Sequence, residues 1–221
     1  MGETNNLWDH CDSGRYKPQT IAVKLSAKAE RSLKQHHPWI FDQNILKTNK
    51  NPNPGDVGVV FAHKTNKVIG VGLMDPDSPI ALKMIYFDGG LIINDVFFKG
   101  IITKALQRRD PLQDVTNAMR LVFGENDGLP GLIVDRYDQV LVIKIYSLIW
   151  LPYLRQIQDI LLELLNPVAI LLRSNRHVAK SLMLKQEDQI VLSHGTLPNP
   201  EVEFHEYGVR FLAHVLKGHR S

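Results

Sequence analysis

Between Ile21 and Tyr86 the apolar runs are all of strand length, and each is cut short by glycine, proline or asparagine before a long helix can form. Ile21-Ala-Val-Lys-Leu25 alternates apolar and polar residues with the period of a strand, and residues 57–63, 67–74 and 80–86 are three further candidates. Asn51-Pro-Asn-Pro-Gly-Asp56 is dense turn chemistry, Thr65-Asn66 fits a hairpin turn, and Asp75-Pro-Asp-Ser-Pro79 separates the last two runs. Ser26 is placed to cap a short helix over 27–34, after which Pro38 sets Trp39-Ile40-Phe41 on an extended path. Many short strands close together, interrupted by glycine, predict a small curled sheet or barrel over residues 20–88. Residues 1–19 read as a loose, flexible polar leader.

From Gly89-Gly90 the pattern lengthens. Asn94 or Asp95 can cap a helix running to about Arg109, with Val96, Phe97, Ile101 and Ala105 on a helical period and Pro111 as its stop. Residues 118–127, 132–137 and 139–147 read as strands, the first two joined through Gly128-Leu-Pro-Gly131 and the last two at Asp138. Leu151–Leu165 is a strongly apolar helix closed by Asn166-Pro167; 169–174 is another strand, 177–184 a short helix, and 202–215 a strand pair around Tyr207-Gly208. The expectation is an α+β chain: a small β-barrel, then an α+β unit over 92–216 whose sheet is covered by two helices.

Composition narrows the function. The chain has 221 residues, 44% of them hydrophobic, enough for real cores. The richest apolar stretch, 139–151, is broken by Lys144 and ends at Pro152, short of the ~18–20 residues that span a bilayer. The N-terminus lacks the apolar region of a signal peptide, so a cytoplasmic protein with no membrane partner is expected. A net charge of +3 permits a polyanionic partner without demonstrating one. The single cysteine, Cys11, excludes an internal disulfide framework and a multi-cysteine zinc site, and reads as a bystander thiol.

Chemistry first concentrates at Arg31-Ser-Leu-Lys-Gln-His-His-Pro-Trp-Ile-Phe41. Arg31, Lys34, His36 and His37 set cationic or hydrogen-bonding groups beside Trp39, a mixture suited to RNA, where cations hold phosphates and rings stack on splayed bases. Core packing is the more economical reading of Trp39 and Phe41, although Trp39 also stands as a candidate RNA contact. Glu125, Asp127, Asp135 and Arg136 read as turn-capping and ion-pair residues of a hairpin; no histidine accompanies the carboxylates, and no metal site or catalytic residue is assigned.

These segments resemble one family of ribosomal RNA cytosine-C5 methyltransferases. Residues 31–41 look like the arginine-rich opening of that family's PUA domain, a small RNA-binding barrel, and the Gly70-x-Gly72 and Pro54-Gly55-Asp56 elements fall where that domain has comparable ones. Arg120-Leu-Val-Phe-Gly-Glu-Asn-Asp-Gly-Leu-Pro-Gly-Leu-Ile-Val-Asp-Arg-Tyr137 resembles the family signature along its whole length, and Glu206–His219 resembles its last hairpin. Where the family has Arg-x-Asp and a second Arg, this chain has Arg173-Ser-Asn-Arg176. The resemblance implies RNA contacts at Arg31, Lys34, His36, His37, Trp39, Arg136, Lys217 and His219. It implies ribosomal RNA as partner and S-adenosylmethionine as methyl donor of the full-length family. C5 methylation needs a thiolate nucleophile and a donor pocket; the sequence shows no cysteine beyond the leader and no glycine-rich strand–helix turn. The expectation is therefore that the methyltransferase domain lies after residue 221, that these residues bind no cofactor, and that alone they are inactive. A stand-alone RNA-binding module is the alternative. A homodimer through the apolar helix 151–165 is a further possibility.

Overall fold

The computed structural model describes residues 6–12 and 17–217. The candidate His219 lies outside the described residues.

The first sheet curls into a half-barrel. It contains β1 (Thr20–Leu25), β2 (Trp39–Ile40), β3 (Ile45–Thr48), β4 (Val57–Phe61), β5 (Val68–Met74) and β6 (Leu82–Phe87), ordered β2-β6-β5-β4-β1-β3. Helix α2 (Ala27–Lys34) follows β1 and is capped as expected, the Ala29 N–H donating to Ser26 Oγ at 3.2 Å. Its buried Ala29 and Leu33 close a core formed by Ile21, Val23 and Leu25 of β1, Ile40, Val60, Met74, Leu82 and Met84. Alternation along β6 then decides what faces outward. Leu82 and Met84 point into this core, whereas Lys83 and Ile85, although also buried, point to the other side.

That other side is covered by the second unit. Helix α3 (Asp95–Gln107) leads into a five-stranded sheet of β7 (Ala118–Phe123), β8 (Leu132–Tyr137), β9 (Val140–Ile145), β10 (Ala169–Ser174) and β11 (Ile190–Gly195), ordered β11-β10-β9-β8-β7. β9 and β10 are parallel and joined through α4 (Leu154–Leu165), and the remaining pairs are antiparallel. α3 and α4 cover one face, with Phe98, Ile102, Leu154, Ile157 and Leu161 packed on Leu132, Val134, Leu141, Ile143, Ile170 and Leu172. A short helix α5 (Arg176–Ser181) follows β10. The C-terminal pair β12 (Glu201–Glu206) and β13 (Val209–His214) forms its own two-stranded sheet, and Val202 and Val215 lie against Val140, Val142, Ala169 and Leu171 on the opposite face.

Several elements differ from the reading of the sequence. The stretch expected to be a loose leader contains α1 (Leu7–Asp12), and Leu7 is fully buried in the second core. The buried stripe of α3 is Phe98, Ile102 and Ala105, while Val96 is 79% exposed: the apolar residues span more than one face, and periodicity alone selected the wrong edge. Pro152, which cannot donate to the preceding turn, lies in a 3-10 segment, Leu148–Tyr153, so the helix expected from Leu151 begins only at Leu154 as α4. The β7–β8 connection holds a 3-10 turn, Gly124–Asp127, before Gly128 takes a left-handed φ of 75°. β3 and β11 are edge strands that the sequence pattern does not reveal.

The 3-10 segment 148–153 joins the two sheets. The Tyr153 hydroxyl donates to Gly55 O at 2.8 Å, and Trp150 Nε1 donates to Pro130 O at 2.8 Å. Gly55 sits at φ 88°, and a Cβ there would lie 2.8 Å from Ile149 O, so only glycine permits this approach. Beside it Asp75 Oδ2 accepts from Lys83 Nζ at 2.5 Å and from Ser147 Oγ at 2.7 Å, all three groups being buried. A charge pair withdrawn from water and extended by a hydroxyl from the second unit ties the half-barrel to its neighbour. Among the described residues, no helix is long and apolar enough to cross a membrane.

Candidate nucleic-acid interface

The candidates of the first unit collect at one corner, where α2 ends and β2 begins. His36 takes a left-handed φ of 59° to close the helix, its Nε2 lies 2.6 Å from Asp88 Oδ2, and its ring lies 4.8 Å from that of Phe87. Lys34 donates to Glu30 at 2.8 Å, one turn back. That bond, then the N–H of His63, holds the Glu30 carboxyl below its usual range. Two of the expected RNA-binding groups therefore carry local carboxylate partners, while Arg31 and His37 are exposed at the same corner.

The aromatic residues correct the core reading. Trp39 is 38% exposed and Phe41 39%, because Ile40 between them takes the inward position of this short edge strand. The His37 ring meets Trp39 edge-on at 6.0 Å. Trp39 Nε1 donates to Glu125 Oε1 at 3.1 Å, so the half-barrel corner touches the β7–β8 connection of the second unit. No sequence pattern pairs these two residues.

The remaining candidates lie elsewhere. Arg136 Nε donates to Asp138 O at 2.7 Å and is committed to the β8–β9 turn. Lys217 is exposed after the C-terminal hairpin, its N–H donating to His214 Nδ1 at 3.2 Å. Among the described residues no hydrogen bond or ion pair joins either of them to the Arg31–Trp39 corner.

The signature carboxylates Asp127 and Asp135 are structural, the first in the turn before Gly128 and the second within β8. Asp127 accepts from both terminal nitrogens of Arg109, from Arg108 and from the Phe123 N–H. Burial alone would raise its pKa, but the Arg109 bonds, the Phe123 N–H and Arg108 outweigh it and leave the carboxyl below the ordinary range. Asp135 lies between Arg120 and Lys144, both at 2.8 Å.

These carboxylate pairs expose a feature that the sequence reading passed over. Cross-strand register sets Phe123, Ile133, Lys144 and Arg173 in one row on the face of the second sheet opposite α3 and α4, with Arg120 and Asp135 in the next row. The signal was present in β9, where Lys144 interrupts an apolar strand, but its neighbours are set by pairing over long separations.

The described fold contains a PUA-like domain, whose family description matches residues 23–87. Beyond it, the chain is homologous over most of its length to ribosomal RNA large subunit methyltransferases. It is 32% identical over 208 residues to one from Deinococcus radiodurans, covering 91% of this chain and 50% of that protein. It is 34% identical over 204 residues to ribosomal RNA large subunit methyltransferase I of Shewanella frigidimarina, covering 91% and 51%. The chain thus spans about half the length of the curated relatives it matches. Its fold is shared, at a TM-score of 0.71 and 13% identity, with a Streptococcus mutans chain named as a presumptive SAM-dependent methyltransferase, over 87% of this chain and 48% of that one. A presumptive methyltransferase complexed with SAH superposes equally well, over 88% and 47%.

These findings correct the expectation that the chain has no cofactor. Homology to methyltransferases runs through 91% of it, and a protein of the same fold was solved with SAH. A missing Gly-x-Gly turn excludes one way of cradling a nucleoside, and the expectation wrongly extended that to the ligand itself.

Proposed function

We propose that this chain recognises structured large-subunit ribosomal RNA for S-adenosylmethionine-dependent methylation, with the corner at Arg31, His37 and Trp39 as the principal contact. The observation that carries this reading is the exposure of cationic and aromatic side chains at the α2–β2 corner of a PUA-like domain, in a chain homologous to ribosomal RNA methyltransferases. Guanidinium and imidazole groups suit phosphate oxygens, and a half-exposed indole suits the face of an unpaired base. Cytosine C5 as the methylated atom rests on the signature resemblance at 120–137.

The donor supplies an electrophilic methyl group when bound. The carboxyl ends of the parallel pair β9 and β10 are where an open α/β sheet would seat a nucleoside. There Ser147 gives its hydroxyl to Asp75, while Asn175 caps α5 by accepting from the Val178 N–H. Those two groups are held by partners within the fold, and no step of methyl transfer is assigned to them. What the α2–β2 corner contributes to the proposed reaction is grip and orientation of the RNA.

The test is a fluorescence-anisotropy titration of the chain with a stem-loop from large-subunit ribosomal RNA over a series of salt concentrations. Submicromolar to micromolar binding is expected, weakening with salt at a log–log slope of about 2–3 if that many phosphates are engaged. Affinity independent of salt, or no binding at low salt, overturns the proposal.

A further inference from the structure

The open face of the second sheet has no role in the reading above. The C-terminal hairpin covers one end of that face, through Val202, Val215 and the edge-on pair Tyr137–Phe204. At the other end Phe123 is 45% exposed and Tyr146 40%. The Arg120 guanidinium lies 5.0 Å from the Phe123 ring centroid, so the ring is already stacked on a cation. Arg120 and Lys144 share the single carboxylate of Asp135 and exceed it by one charge, and Arg173 lies in the row of Lys144, reaching Val215 O at 2.8 Å. Tyr146 is two residues beyond Lys144, its Cβ 3.7 Å from where a Cβ on Gly131 would sit, and its N–H donates to Gly131 O. Phe123 is in turn two residues from Glu125, which accepts from Trp39 of the half-barrel.

We infer that this face is a second RNA-binding site, taking a single-stranded segment that runs on from the structured RNA held at the half-barrel, with bases stacked on Phe123 and Tyr146 and phosphates beside Arg120 and Lys144. The inference rests on the proposed RNA recognition and extends it. Rings beside cations on an open sheet are the combination that binds single strands without reading base identity, because every base has a π-face. The excess positive charge matches a phosphate backbone better than it matches an acid-poor polypeptide. The hydrogen bond from Trp39 to Glu125 places the two surfaces side by side, so one strand can pass from one to the other.

The test compares a stem-loop alone with the same stem-loop carrying a single-stranded extension of about six nucleotides at either end. The extension should tighten binding to the wild-type chain about tenfold, the value of roughly one stacked base. In the Phe123→Leu/Tyr146→Leu double variant most of that gain should vanish, while affinity for the bare stem-loop stays unchanged and thermal unfolding shows the fold intact. With 4-thiouridine in the extension, cross-links should map to peptides containing Phe123 or Tyr146. No gain from the extension, an equal gain in the double variant, or cross-links confined to other segments overturns the inference. A bare stem-loop that fails to bind speaks against the proposed function instead.

Discussion

Replacing Asp75 with alanine should lower the free energy of unfolding by about 3–5 kcal/mol, the cost of leaving a buried cation without its partner. Lys83 Nζ then keeps only the Ile80 carbonyl, at 2.9 Å, and Ser147 loses its acceptor. The damage falls at the junction of the half-barrel and the second sheet, because Lys83 points away from the half-barrel core and Ser147 opens the 3-10 segment of the other unit. Chemical denaturation checks this directly. A control separates charge from packing: in the Asp75→Ala/Lys83→Met variant no uncompensated charge remains, and a large part of the stability should return. If the single variant unfolds like wild type, the buried pair does not join the two units.

Trp150→Ala should be comparably severe, at about 3–5 kcal/mol for emptying a site of that size. Trp150 is fully buried, its ring centroid lies 6.3 Å from that of Phe98 and 6.4 Å from that of Tyr153, and its indole N–H satisfies Pro130 O. Its loss removes core contacts to α3 and also orphans a carbonyl in the Gly128–Gly131 connection. Trp150→Phe keeps much of the volume but not the donor, and should fall between the two. Urea midpoints for the three proteins give the comparison; a Trp150→Ala protein with an unchanged midpoint would show that the 3-10 segment does not hold the two sheets together through Trp150.

Much of the half-barrel was legible because its signals are local. Ser26 caps α2 through a residue three positions on, the Asp75–Pro79 cluster can only turn, and β1 alternates along its own length. The C-terminal pair likewise declared itself through Tyr207-Gly208, both at positive φ. What failed to show was set at a distance. β3 has four residues and becomes a strand through its pairing with β1, and β11 is an edge strand that pairs only with β10. Leu7 and Trp8 stand within a polar tail in the sequence, and it is the second core that encloses Leu7 and takes Trp8 against it.

The candidate site followed the same division. The corner with Arg31, Lys34, His36, His37 and Trp39 was visible as a composition of cations and rings, but not the partners that Glu30 and Asp88 supply, nor the outward turn of Trp39 and Phe41. Asp127 was legible as a turn-capping group; Asp135 forms the ion pairs expected of it, but from within β8, with Arg120 and Lys144 on the neighbouring strands. The row of Phe123, Lys144 and Arg173 was not, since three separate strands contribute one residue each. The cofactor expectation failed for another reason: it inferred a ligand's absence from the absence of one loop.

The claim that the α2–β2 corner grips RNA is met most directly by amide hydrogen exchange of the chain alone and saturated with a large-subunit ribosomal RNA stem-loop. The account predicts slowed exchange across residues 31–41, with the deeply buried strands β4 and β10 unchanged. Exchange at 31–41 that does not respond to saturating RNA, with protection appearing only in the C-terminal hairpin, would contradict it.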